Sequence, residues 1–303
     1  MPNTLAHMGI QSIATRGVSR AANPGWVWLG CILPDIPWIM QRGALAVDPA
    51  LSPYDVRFYA VVQSSFLISC ISAGAFASLA SAWRRTFLIL VLGALLHLLL
   101  DATQTKLANG VLLTAPFDWH LLNFGLYWPE GLPSLALTLL GAAVFAWYAL
   151  RPDPAWFAPP ATPLPRRRWL YAAVFAGAYF VLPFAFMPAA ERADVHYAGT
   201  LRDEAARPGQ YVEFDRSSAG IAPDGTVYLQ PWTQERIRLT GTSLPEGARV
   251  VSVRGRFDDT GALEVETLHV HAGRRRDVFT YLGLLLCLGW WSYAAWRRFG
   301  PKV

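Results

Sequence analysis

Few side chains in the apolar part of this chain could do chemistry, and His97 and Asp101 form the clearest pair. They close the stretch LGALLHLLLD and lie four residues apart. On a helix this spacing places both side chains on one face, about 6 Å apart along the axis. An imidazole and a carboxylate so placed can share one divalent cation. The alternative is a carboxylate at a helix end that hydrogen-bonds a neutral histidine inside a bundle.

Further ionisable groups accompany this pair. Asp35 lies in the apolar segment CILPDIPW, and His7 lies in the amphipathic segment NTLAHMGIQSIATRG. Ionisable groups inside a membrane are costly, and for that reason they are candidates for function. Asp118 and His120 follow in a polar and aromatic loop, where they could act in acid–base steps. An ordinary polar loop is the interpretation that the sequence favours for these two.

The order of these motifs resembles that of a known family. A histidine near the N-terminus, then LPD, then HxxLD, then a Gly-Val-Leu-Leu loop followed by Pro-Phe is similar to the LexA-regulated, YdjM-type inner-membrane family. Its members are predicted to be metal-dependent hydrolases. The resemblance covers roughly residues 1–130. It implies that His7, Asp35, His97 and Asp101 are ligands of a divalent metal ion, zinc or manganese.

The chain also departs from the family pattern. The family has a second aspartate and a histidine after its Pro-Asp, where this chain has Pro37 and Trp38. Its Arg-Gly-x-Thr-His-Ser motif has only VVQSS as a counterpart, with Gln63 in place of the histidine. Glutamine is a poor zinc ligand, but it can orient water, so Gln63 is a candidate catalytic residue. These departures favour one metal ion, or none, over two.

The elements that must position these residues are apolar helices. Of the 303 residues, 53% are hydrophobic and 16% are charged, against roughly 25% charged in soluble domains. This predicts a polytopic α-helical membrane protein, because a span needs roughly 20 mainly apolar residues. Residues 4–20 form either a seventh crossing, which brings His7 near His97, or a cytoplasmic surface helix that leaves His7 out. The six predicted spans are 26–42, which two prolines should kink, 57–83, 86–105, 131–150, 169–188 and 278–296.

A polar insert stands apart from these helices. Residues 189–277 hold 14 of the 21 acids and 12 of the 26 bases. Strand patterns at 226–232, 236–241, 249–258 and 263–272, with turns at 223–225, 245–247 and 259–261, predict an inserted small all-β domain, an OB-like barrel. His269 and His271 share one face of the last strand. Without a third ligand, two such histidines predict a solvated edge.

Charge predicts the orientation of the chain. Eleven lysines and arginines collect on one side of the helices and three in the short loops of the other, so the first side is cytoplasmic. Arg274–Arg276 break the rule locally, but long domains cross the membrane largely regardless of charge. The location is a bacterial-type inner membrane. The predicted units are a helical membrane domain with the candidate metal site (1–150), a Pro-rich cytoplasmic linker (151–168), a transmembrane helix (169–188), the extracytoplasmic β domain (189–277) and a C-terminal transmembrane helix with a short basic tail (278–303).

Function follows as a hypothesis with rivals. The sequence predicts an integral-membrane metal-dependent hydrolase that acts near the outer leaflet on a lipid or phosphoester. The first rival is a non-enzymatic membrane protein whose β domain binds a protein partner or an envelope component. The second is a transporter with a proton relay at His97 and Asp101, which lacks a visible repeat. Membrane lipid is the expected partner. Nucleic acid is not, because the excess bases flank apolar helices.

Overall fold

The computed structural model describes residues 3–19, 22–153, 156, 164–273 and 275–299. For Arg298 and Phe299 only the backbone is described. It consists of a helical part and a small closed β-barrel. The helices are α1 (Thr4–Val18), α2 (Pro24–Ile32), α3 (Ile36–Val47), α4 (Pro53–Gln63), α5 (Phe66–Ser78), α6 (Trp83–Ala102), α7 (Leu132–Leu150), α8 (Arg166–Arg192), α9 (Ala198–Arg202) and α10 (Arg275–Phe299). The strands are β1 (Tyr211–Ile221), β2 (Val227–Gln230), β3 (Ile237–Thr240), β4 (Val250–Phe257) and β5 (Leu263–Val270).

Four described helices, α6, α7, α8 and α10, are long and apolar enough to span a membrane. The bent pair of α4 and α5 would make a fifth span if it counts as one. The bounds of the four differ by a few residues from those expected, and α8 continues through Pro183 and Pro188 to Arg192. Most of the predicted linker, residues 154–155 and 157–163, lies outside the described residues, as do Arg20, Arg274 and Lys302.

The predicted first span is broken at the LPD sequence. Residues Leu33–Asp35 form a short 3₁₀ helix between α2 and α3. Pro34 and Pro37 explain the break, because proline lacks the amide hydrogen that an α-helical ladder requires. The expected kink is therefore present, and Asp35 lies inside it.

A single helix over residues 57–83 is not what the structure shows. The chain instead forms α4 and α5, which are bent by 70° at the break between them. At this break the amide of Phe66 donates to the carbonyl of Leu112, 3.1 Å away, instead of to a carbonyl of its own helix. The loop after α6 thus takes over the hydrogen bond that would have continued the helix. Gln63 is the last residue of α4.

The N-terminal residues form a buried helix. Asn3 caps α1 by accepting from the amide of Ala6 at 3.1 Å, and its own amide donates to Thr138 Oγ1 on α7 at 2.5 Å. Helices α1 and α7 touch through glycine: a Cβ at Gly141 would overlap the carbonyl of Leu5. Because α1 packs against α2, α6, α7 and α10, His7 is enclosed. The surface-helix alternative predicted that His7 lies outside the site. That prediction is wrong, because His7 is buried beside Asp101.

The five strands close into a barrel in the order β1-β2-β3-β5-β4. All neighbours are antiparallel except β3 and β5, and a five-stranded closed barrel fits the expected OB-like form. The strands β2 to β5 coincide with the predicted ones, and Gly225, Gly247 and Gly261 have the positive φ of the predicted turns. The sequence missed β1, whose pattern is interrupted by a bulge between Phe214 and Ser217.

The barrel lies against the helical part. Tyr54 on α4 donates its hydroxyl to the carbonyl of Leu201 at 2.9 Å. Glu213 on β1 accepts from the amide of Ala108 at 2.7 Å, in the loop after α6. The barrel therefore covers the end of the helical part where α4 begins and α6 finishes.

Candidate functional site

His7, Asp35, His97 and Asp101, the four residues expected to be metal ligands, lie together where α1, α6 and the LPD break meet. All four are buried. Asp101 lies one helical turn after His97 on α6, so its carboxylate is 3.9 Å from His97 Nε2. Asp35 Oδ1 is 3.4 Å from the same nitrogen, and His7 Nε2 is 3.2 Å from Asp101 Oδ1. The site therefore combines residues from three separate segments of the chain: α1, the LPD break and α6.

Glycines allow the helices to approach closely enough for this. Gly30 on α2 faces Gly93 on α6, and a Cβ at Gly93 would lie 2.9 Å from the Gly30 Cα. Larger residues would hold α2 away from α6 and, with it, the LPD break that carries Asp35. The close approach therefore sets the distance between Asp35 and His97.

The spacing of the donor atoms fits a small divalent cation. Two ligands bound at about 2.0–2.1 Å in tetrahedral geometry lie about 3.3 Å apart, and the measured separations run from 3.2 to 3.9 Å. One ligand atom from each of His7, His97 and Asp101 can be chosen so that all three lie within 4.8 Å of one another. Two imidazoles and carboxylates are donors that zinc and manganese accept. The residues present therefore fit such an ion.

One feature departs from the usual pattern around a metal. The Nδ1 atoms of both His7 and His97 are buried, and neither makes a hydrogen bond of good geometry to a described residue, although the backbone of Cys31 lies close to the His97 ring. Ligating histidines ordinarily donate from the second nitrogen to an acceptor that fixes the ring. Here the two rings fix one another instead, since they stack with centroids 4.0 Å apart.

Lys106 also belongs to the site, and the sequence patterns did not predict it there. Its Nζ lies 3.2 Å from Asp101 Oδ2, and both side chains are buried. The ammonium balances one of the two carboxylate charges contributed by Asp35 and Asp101. The signal in the sequence was a lysine five residues after an aspartate at the end of an apolar helix, but the turn that brings it back could not be anticipated.

A cavity of about 900 Å³ opens from these residues toward the barrel. Asp35, His97, Asp101 and Lys106 line it, whereas His7 is not among the described residues that do. Its wall mixes apolar side chains with acids and bases. The additional charged residues that line it are Arg42, Arg57, Asp215, Arg216, Arg276 and Asp277.

Arg57 is held in this wall by aromatic rings. Its guanidinium carbon lies 4.9 Å from the ring centre of Trp38 and 5.0 Å from that of Trp232. Its Nε donates to His196 Nδ1 at 3.2 Å. Burial, together with the charge of Arg57, holds the pKa of His196 well below its ordinary value. Among the described residues no carboxylate forms an ion pair with Arg57, so the guanidinium can receive an anion from the cavity.

The three candidate catalytic residues lie elsewhere. Asp118 and His120 are exposed, and the amide of His120 donates to Asp118 Oδ1 at 3.0 Å as in an ordinary turn. Gln63 is buried between α4 and α8, where its amide donates to the Tyr59 hydroxyl and to the carbonyl of Tyr179, each at 3.3 Å. None of the three is among the described residues that line the cavity.

Comparison of the chain with models of known families, with curated proteins and with solved structures gives no match. The resemblance to the YdjM-type family thus stays a prediction that depends on the quoted motifs.

Proposed function

We propose that this protein is a multi-pass membrane enzyme that uses a divalent metal ion to hydrolyse an anionic amphiphile, such as a phospholipid or another lipid phosphoester. The observation that carries the proposal is the convergence of His7, His97 and Asp101, whose ligand atoms can lie within 4.8 Å of one another, beside a cavity; Asp35 adds a second carboxylate 3.4 Å from His97. Such a set of donors is costly to bury among apolar helices unless a cation or a reaction requires it.

The placement of the site supports action near one face of the membrane. Helix α6 begins beside Arg84 and Arg85, which the positive-inside rule assigns to the cytoplasm. His97 and Asp101 lie in the last two turns of α6, on the side where the barrel packs. With the barrel extracytoplasmic, the cavity faces the outer leaflet.

The residues of the chain have separable tasks in this proposal. When bound, the ion would lower the pKa of a water molecule and polarise the phosphoryl or carbonyl oxygen of the substrate. His7, His97, Asp35 and Asp101 would hold it. Lys106 keeps the Asp101 carboxylate in place and offsets its charge.

Substrate charge is inferred from Arg57. The acids and bases of the cavity wall nearly balance in number. Arg57, however, forms no ion pair with any described carboxylate, so its guanidinium is available to an anionic substrate. A guanidinium fixed between two rings suits a phosphate oxygen, because little freedom is lost when the bond forms. A volume near 900 Å³ accommodates a lipid headgroup with part of its chains.

The test is hydrolysis by the detergent-purified chain of a short-chain glycerophospholipid, in chelator and after addition of zinc or manganese. We expect metal-dependent release of product, abolished in His97→Ala and Asp101→Asn. His120→Ala is the matched control, since His120 is an exposed histidine of the same half of the chain, and it should retain activity. Hydrolysis that survives in chelator, or equally in both cluster variants, would contradict the metal-dependent mechanism.

A further inference from the structure

A second group of metal-type donors lies at the seam between the barrel and the segment that leads into α7. His269 is on β5, His271 follows that strand directly, and Glu130 comes two residues before α7. Glu130 Oε1 is 2.7 Å from His269 Nε2 and 3.1 Å from His271 Nδ1. Glu130 is thus the third donor beside the two histidines. The sequence patterns did not indicate it, because it lies 139 positions from His269.

Hydrogen-bond partners hold the ring of His271 on both of its nitrogens. The Ser252 hydroxyl donates to Asp215 Oδ1 at 2.9 Å. Its oxygen also lies 2.7 Å from His271 Nε2, so the tautomer with the hydrogen on Nε2 can donate to Ser252. In that tautomer His271 Nδ1 has a lone pair available for a cation. This relay from imidazole through hydroxyl to carboxylate resembles the outer-sphere bonding of metal-binding histidines.

The ring of His269 is also held in place. It stacks on Trp128 with centroids 3.6 Å apart and planes 3° apart. The stacked ring directs Nε2 at Glu130. Because the ring is already fixed, the His269 side chain loses little further freedom when a ligand binds. The two imidazoles are thus held in position before any ligand binds, His269 by Trp128 and His271 by Ser252.

Positive charge already lies beside Glu130 and His271 Nδ1. Arg216 supplies part of it, since its Nη1 lies 3.2 Å from His271 Nδ1 and 4.0 Å from Glu130 Oε2. Arg216 also lies 3.7 Å from Asp277 Oδ2, to which it can turn. It is the competitor that any cation at this place must displace.

We propose that Glu130, His269 and His271 bind one zinc ion, and that this ion fastens the barrel to the segment before α7. Two imidazoles and a carboxylate are a usual zinc set, with a fourth position open to water. The 2.7 Å pair must open by about 0.6 Å to reach tetrahedral spacing, which rotation of the Glu130 side chain provides. The proposal is independent of the proposed hydrolase function, because the residues differ.

The test is zinc binding by the full chain in detergent, with the first site removed by His97→Ala and Asp101→Asn. We expect this background to retain one zinc per chain and to gain thermal stability on zinc addition. Glu130→Gln or His269→Gln in the same background should remove both effects. Glu266→Gln, an exposed glutamate of the same strand, should remove neither.

Two outcomes would overturn the proposal: no zinc in the background, or binding that Glu130→Gln and His269→Gln leave unchanged. If the background does not fold, the single variant His269→Gln in the otherwise native chain gives the same decision, because it should lower the zinc content by one per chain. Ser252→Ala should weaken zinc binding at this site by about 10–100-fold through loss of the relay.

Discussion

The imidazole rings of His7 and His97 stack with centroids 4.0 Å apart and planes inclined by 10°, although one lies on α1 and the other on α6. Both Nε2 atoms face the carboxylate of Asp101, at 3.2 and 3.9 Å. Parallel rings with their nitrogens on one side can meet one ion together. The N-terminal helix is therefore part of the site.

Disturbing the packing of α1 should disturb the site. Gly141→Ala places a Cβ where the carbonyl of Leu5 lies, so α1 must shift and carry His7 with it. We expect a loss of about 1–3 kcal/mol in unfolding free energy from overpacking, together with weaker metal binding. Gly17→Ala is the control on α1 itself, because no described atom outside the neighbouring backbone of α1 lies within 4 Å of its added Cβ. Equal metal affinity in Gly141→Ala and the native chain would show that α1 does not position a ligand.

Removing the charge of Asp101 should leave the Lys106 ammonium buried without a partner. For Asp101→Asn in chelator we expect a loss of about 3–5 kcal/mol in unfolding free energy. Adding Lys106→Met removes the stranded charge and should restore part of the loss. Denaturation of the two variants in detergent measures the difference. A double variant no more stable than Asp101→Asn alone would mean that the ion pair contributes nothing.

Arg57 should control substrate affinity. In the hydrolysis assay, Arg57→Gln should raise KM by about 10–100-fold, because one charge-assisted hydrogen bond is lost, with a smaller change in kcat. Arg42→Gln is the control, since Arg42 lines the same cavity but is exposed. Equal effects of the two variants would indicate general electrostatic attraction instead of a bound anion at Arg57.

Acid should destabilise the protein through His196, near Arg57 and Lys106. The pKa of His196 is well below its ordinary value in the folded state because of burial and the charge of Arg57. Below about pH 6.5 the unfolded chain binds a proton that the folded chain does not, so this contribution to stability falls by about 2 kcal/mol from pH 7 to 5. His196→Asn should show a smaller loss over the same range in thermal unfolding. Parallel pH profiles of both proteins would contradict the assignment.

Orientation can be tested with single cysteines in a chain whose native Cys31, Cys70 and Cys287 are replaced. A cysteine at Asp259, in the last barrel turn, should react with an impermeant reagent added outside intact cells. One at Ser81, between α5 and α6, should react only after permeabilisation. Both positions are exposed. The reverse pattern would place the barrel and the cavity in the cytoplasm.

The sequence predicted what local spacing determines. The pair His97 and Asp101 follows from helical periodicity, and the set of four candidate ligands follows from the resemblance in motif order. The break between α4 and α5 was missed because it depends on a bond from Phe66 to Leu112. Only the tertiary structure reveals that Arg57 lies between the rings of Trp38 and Trp232, and that Glu130 contacts two distant histidines. Gln63 was placed in the site by analogy, and its hydrogen bonds now place it between α4 and α8.

Metal content of the purified chain tests the central claim most directly. Elemental analysis of native protein should find zinc or manganese held at the cluster, and His97→Ala and Asp101→Ala should each lower the content by one ion per chain. His120→Ala should leave it unchanged. Native protein without any metal, together with unaltered folding of the two cluster variants, would contradict the proposed enzyme and favour a non-enzymatic membrane protein.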